Sequence, residues 1–198
     1  MDQVAQTEPE VIEEPVVPIE SEVTTEPVVP TESEVTKVPS ASDRLVSPHE
    51  KKSRLVTDAD VERVVEEAKV LYTLCLMPVG RYMGAFAVHH SQIDDKDPLN
   101  FFVLVNRDII INPVILNHSN YFKDSLEACL TFADRQQVIV PRWQKCEVEY
   151  QSVMVDQNDS TKFKLSSIIQ ASLSGRDAWV FQHEVDHGEA KYIYTWEK

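Results

Sequence analysis

Gln182-His183-Glu184-Val185-Asp186-His187 holds two histidines four positions apart, near the end of a stretch with helical periodicity. Residues at i and i+4 stand one above the other on a helix, so both imidazoles can converge on one divalent metal. Glu184 then projects beside that metal, where a carboxylate can take a proton from water and pass it to a leaving amine. A solvated helix face carrying i,i+4 pairs would present the same six residues, so the rest of the chain must decide between the two. A catalytic site of this kind needs a third protein ligand and one open position.

The residues that follow do not supply that ligand. The extended His-rich pattern would need glycine at Ala190 and histidine at Ile193. A glutamate from a later helix would have to be Glu189 or Glu197, on a tail too short to fold back. The upstream candidates are Cys75, Cys129, Cys146, His49, His89, His90 and His118. Cys75 falls on an apolar helical stripe and Cys146 alternates with Val148 and Tyr150, so both read as small buried hydrophobes. Cys129 lies in Glu127-Ala128-Cys129-Leu130-Thr131, between a loop-like stretch over 117–125 and a strand-like run over 137–140, where its side chain could face a cleft.

Glu127-Ala128-Cys129-Leu130-Thr131 followed by Gln182-His183-Glu184-Val185-Asp186-His187 resembles the second and third signature motifs of the peptide deformylases. The first motif of that family is matched by Ala85-Phe86-Ala87-Val88-His89-His90-Ser91-Gln92, which keeps Gln92 and an apolar residue at Val88. Ile111-Asn112-Pro113-Val114-Ile115 and Val140-Pro141-Arg142 match further segments, so the resemblance runs in order over 57–190. It implies that Cys129, His183 and His187 hold Fe²⁺, with Zn²⁺, Ni²⁺ or Co²⁺ as substitutes, and that Glu184 is general base and then acid. Gln92 and the backbone N–H of Leu130 would stabilise the developing oxyanion. The implied substrates are N-formylmethionyl nascent peptides met near the ribosome, with Phe86, Ala87, Arg135 and Phe181 in contact with the peptide and Ile168 beside Phe181 in the methionine pocket.

The chain also departs from the pattern. Ala85 and Ala87 stand where the family has glycines, and His89 and His90 where it has alanines; one of these histidines is expected to pack and the other to meet solvent. Ala128 replaces another glycine, and the stretch after His187 is short, which resembles the compact deformylases of bacteriophages. Asp186 and Glu127 are suited either to orienting imidazoles and pairing with Arg142 or to lying as ordinary charges. Two alternatives accompany the leading reading: a catalytically silent metal-binding module acting in assembly, and a metallohydrolase of the same fold with another acyl substrate.

Charge divides the chain. Of 198 residues with net charge −14, residues 1–50 hold 12 acids and two bases, together with seven of the 11 prolines and no glycine or aromatic residue. Glu14-Pro15-Val16-Val17-Pro18 recurs as Glu26-Pro27-Val28-Val29-Pro30. Such a composition cannot bury enough apolar surface to offset chain entropy, so a disordered arm is expected over 1–56 and one catalytic domain over 57–198. The acidity gives no support to phosphate-mediated nucleic-acid binding, and no run of about twenty apolar residues signals a membrane span. Three unpaired cysteines and the lack of a leader pattern point to the cytoplasm, the host's if the chain is viral, and a monomer is expected.

Within 57–198 the pattern predicts a helix from a Thr57/Asp60 capping box to Pro78, strands over 101–105, 108–112, 137–140, 145–155 and 162–165, and a final helix capped by Ser174. Helix, strands, helix implies an α+β domain in which antiparallel sheet wraps the metal-bearing helix.

Overall fold

The structure, a computed structural model, describes residues 40–78 and 84–196. Among the described residues two α-helices and nine strands follow one another as an α+β arrangement. Helix α1 (Val61–Leu76) starts where expected: Thr57 N–H and Oγ1 both donate to the Asp60 carboxylate. Its buried residues Val61, Val64, Ala68, Leu71 and Cys75 recur at helical spacing. It stops at Met77, ahead of Pro78, which cannot continue a helical hydrogen-bond ladder.

Five antiparallel strands form the main sheet: β1 (Ala87–His89), β2 (Phe101–Leu104), β3 (Ile109–His118), β6 (Lys145–Gln151) and β9 (Ile169–Ser174), in the spatial order β1-β2-β3-β6-β9. Two hairpins flank it, β4 (Phe122–Glu127) with β5 (Val138–Trp143) and β7 (Val153–Asp156) with β8 (Asp159–Leu165). Alternation along the strands gives the main sheet two apolar faces. Val88, Phe101, Val103 and Ile111 face α1 with Leu71 and Leu74, while Ala87, Phe102, Ile110 and Val148 face α2 (Arg176–Gly188) with Ala178 and Phe181. The sheet is therefore the middle layer, and the motif helix is pressed onto one side of it.

Several elements differ from the sequence expectation. Strand β4 occupies much of the stretch read as loop, because its buried side is polar, with Ser125 and Glu127 inward and Phe122 and Leu126 exposed. The run over 145–155 breaks at Ser152, so β6 stays in the main sheet and β7 turns into its own hairpin. Ser174 ends β9 instead of capping the helix; Gly175, at φ 57°, is the single residue between β9 and α2. That positive φ is the conformation in which a glycine avoids the Cβ clash of other residues. Asn112 also has a positive φ, at a register shift in β3, and its amide bonds both the N–H and the C=O of Val56 at 2.8 and 3.0 Å.

The folded body begins earlier than residue 57. A 3₁₀ turn at Ala41–Arg44 packs Ala41 and Leu45 onto the α1 core, and Val56 is buried. The segment between them is a strap: Val46 N–H donates to the Gln92 carbonyl and Ser53 N–H to the Gly188 carbonyl, each at 2.9 Å. The remainder of the expected arm, residues 1–39, lies outside the described residues. Among the described residues no helix is long and apolar enough to cross a membrane.

Leu71 is fully buried between α1 and the sheet, whereas Leu126 is 63% exposed. Leu71→Ala should lower stability by about 2–5 kcal/mol and Leu126→Ala by less than about 0.5 kcal/mol, read as shifts in the urea midpoint at constant slope.

Candidate metal centre

Three donor atoms from two elements meet at one end of a cavity. His183 and His187, one turn apart on α2, bring their Nε2 atoms to 3.2 Å. Cys129, just beyond the end of β4, places Sγ 3.3 Å from His187 Nε2. Two imidazole nitrogens bound to a tetrahedral metal stand roughly 3.3 Å apart, and a nitrogen–sulfur pair about 3.5 Å. Two of the three donor pairs therefore already stand near the edge lengths of a metal site, all three donors lie within 4.8 Å of one another, and a cysteine with two histidines suits iron or zinc.

A buried ionic network fixes the imidazole of His183. Arg142, on β5, forks onto both oxygens of Glu127, on β4, at 2.8 and 2.9 Å, and reaches Asp186 of α2 at 2.5 Å. Glu127 also bonds His183 Nδ1 at 2.9 Å. Burial opposes ionisation of Glu127, but the hydrogen bonds from Arg142 and His183 outweigh it and bring the carboxyl down to about 2. A carboxylate can only accept, so Nδ1 of His183 carries a proton. Burial opposes charge on the ring, but Cys129 and Glu127 raise its pKa well above the usual range, and Nε2, which faces Cys129 and His187, is the nitrogen that would give up its proton to bind a metal. Glu127 and Asp186 thus take up the orienting and pairing roles that the sequence left open.

Glu184 lines the cavity wall at 3% exposure, and its Oε2 has no hydrogen-bond partner among the described residues. Burial, aided by the nearby Glu127 carboxylate and opposed by His183, pushes its carboxyl up to about 7. Gln92 sits at the end of the 3₁₀ turn His90–Gln92. Its Oε1 accepts from His89 N–H at 2.9 Å, which directs Nε2 to Thr131 Oγ1 at 3.0 Å and toward Cys129 Sγ. The amide donor therefore points at the site. Leu130 follows Cys129 in the cavity wall.

The two histidines of the first motif are both buried, against the expectation that one meets solvent. His90 accepts the Leu99 N–H at Nδ1, which leaves Nε2–H to donate to Glu67 of α1. His89 accepts from Ser91 N–H at 3.1 Å and stacks on the His187 ring with centroids 6.2 Å apart; burial holds its pKa down near 3, so it packs as a neutral ring. Gly188 makes room beside it, since a Cβ there would come within 2.7 Å of Asn100 Oδ1.

The cavity has a volume of about 440 Å³. Phe86 and Ala87 line it as expected, but Phe181, Ile168 and Arg135 do not. Phe181 is two residues from His183, about 200° around the helix, so it turns to the sheet and packs edge-on against Phe102. Ile168 is exposed in the connection between β8 and β9, and the Arg135 guanidinium covers the Phe132 and Tyr194 rings. The residues that do line the helical wall are Arg176, Trp179 and Val180. Spacing counted back from His183 by three, four and seven residues would have identified all three.

A cysteine, two histidines and a carboxylate with one unpartnered oxygen, gathered at one end of a cavity, are the parts of a metallohydrolase site. Residues 49–197 match the family model described as polypeptide deformylase, and the chain belongs to that family. Solved structures share the fold. A peptide deformylase from Thermotoga maritima is 24% identical with a TM-score of 0.57, over 74% of this chain and 88% of that one. The enzyme of the Vibrio parahaemolyticus bacteriophage VP16T is 22% identical with a TM-score of 0.55, over 73% and 92%, and peptide deformylase 1B of Arabidopsis thaliana is 18% identical at 0.57, over 78% and 81%. No curated protein sequence matches the chain.

If Glu127 fixes the tautomer of His183, Glu127→Ala should weaken Zn²⁺ binding by about 10–100-fold, measured by competition with a chromophoric chelator. Unchanged affinity would show that the contact only packs.

Proposed function

We propose that this chain removes the formyl group from N-formylmethionyl peptides, releasing formate and a free amino terminus. The observation that carries the reading is the unpartnered Glu184 carboxylate in the cavity wall that also holds Cys129, His183, Gln92 and Leu130. Cys129, His183 and His187 would hold a divalent ion, Fe²⁺ or a substitute such as Zn²⁺, Ni²⁺ or Co²⁺, whose Lewis acidity makes water a nucleophile at neutral pH.

The chain's own residues account for the remaining steps. Glu184 accepts the proton of the attacking water as its oxygen adds to the formyl carbon. The Gln92 amide, held by His89 N–H, and the Leu130 N–H donate to the carbonyl oxygen as charge builds on it. Glu184 then delivers its proton to the amine nitrogen as the C–N bond breaks. The apolar walls from Phe86, Trp179 and Val180 suit an unbranched thioether side chain. Nascent peptides in the cytoplasm, met as they leave the ribosome, are the substrate source this reading implies.

Metal-loaded protein should release formate from formyl-Met-Ala-Ser. Glu184→Ala should still bind one metal per chain and lose at least about 100-fold in kcat, and Gln92→Ala should lose about 100-fold or more. Chelation should abolish turnover and added Fe²⁺ or Zn²⁺ restore it. Absence of turnover in protein carrying one metal per chain would refute the assignment and favour a silent metal-binding module.

A further inference from the structure

The catalytic steps leave one charged wall of the cavity unused. Arg176 opens α2 and lines the cavity, its guanidinium 4.9 Å from the centre of the Phe86 ring. Arg44, Arg54, Arg63 and Arg142 each pair with a carboxylate. Among the described residues none pairs with Arg176, and Asp177 beside it does not line the cavity. Glu127, an acid of the same cavity, is committed to Arg142 and His183.

Arg176, Trp179, Val180 and His183 form one stripe at i, i+3, i+4 and i+7, so the cavity runs along the helix. Seven residues of helix rise roughly 10 Å, which is about three residues of extended peptide. A peptide lying along this stripe, with its formyl group at the His183 end and its methionine side chain against Trp179 and Val180, would bring its second or third side chain to Arg176. The Phe86 ring lies within cation–π reach of the guanidinium, and no carboxylate among the described residues takes up its donors. The N-terminal end of α2 adds positive potential at the same place.

We propose that Arg176 is a specificity-determining residue that selects formylated peptides carrying an acidic side chain at the second or third position. The inference rests on the deformylase reading above and deepens it. It is tested with metal-loaded full-length protein on C-terminally amidated formyl-Met-Glu-Ala, formyl-Met-Ala-Ala and formyl-Met-Lys-Ala, and on the set with the charge moved to the third residue. At low salt kcat/KM for the glutamate peptide should exceed that for the lysine peptide by about fivefold at one of the two positions, and the ratio should shrink at high salt. It should fall to near one in Arg176→Ala and invert in Arg176→Glu; a ratio between peptides is unaffected by any general loss of activity. Turnover of formyl-Met-Ala-Ala with equal kcat/KM for glutamate and lysine peptides at both positions would overturn the inference and leave the deformylase reading intact. If no peptide is turned over, that reading falls, and the inference is decided by calorimetric binding of acetyl-Met-Glu-Ala and acetyl-Met-Lys-Ala amides and their third-position counterparts: a glutamate preference lost in Arg176→Ala supports it, and equal affinity overturns it.

Discussion

The buried fork of Arg142 onto Glu127 is the contact on which the site depends. A guanidinium withdrawn from water carries a large desolvation cost, which only well-placed carboxylates offset. Glu127 and Asp186 supply them from a strand and a helix that share no backbone hydrogen bonds, so one cation ties β4, β5 and α2 together. The same Glu127 oxygen that completes the fork holds His183. Removing either partner would leave a charge under-compensated in the interior, and removing Glu127 would also free the His183 imidazole, so stability and ligand geometry are linked through three side chains.

Much of this was legible in the sequence, because the periodicity that makes α1 and α2 also places their apolar faces. The donor set was legible too, since three short motifs in order carry more information than any one of them. Strand β4 was hidden by its inverted pattern: its buried side is polar because it faces the site, and propensity cannot distinguish that from a loop. The strap over 46–53 was hidden by composition, since it is held by backbone hydrogen bonds to Gln92 and Gly188 and by scattered contacts of His49 with Ser91 and Tyr192 and of Lys52 with Glu189, none of which follows a repeating pattern. Phe181 was misplaced for the opposite reason. It is the large apolar residue nearest the motif in sequence, yet helical geometry turns it to the core.

The altered first motif is absorbed by burial. His90 gains Glu67 and the Leu99 N–H as partners, and His89 stays neutral against His187; neither side chain lines the cavity. Bulk that replaces two small residues is thus turned away from the substrate side, while Gln92 keeps the backbone anchor that aims its amide. Of the departures from the family pattern, His89 and His90 lie behind the donor groups, while Ala85, Ala87 and Ala128 line the cavity.

Gly175 gives the design a particular brittleness to insertions. One residue separates the end of β9 from α2, and β9 is locked in register against β6 from Tyr150↔Ile169 to Lys145↔Ser174. Adding a residue inside the helix would rotate everything after it by about 100°, carrying both histidines off the site while Ala178 and its core contacts resisted the turn. The hairpin turn at 156–159 lies away from the donors and could be lengthened without moving them, but the junction between sheet and helix must keep its length. The count of residues from the last strand to the first ligand histidine is therefore set by geometry, whichever side chains fill it.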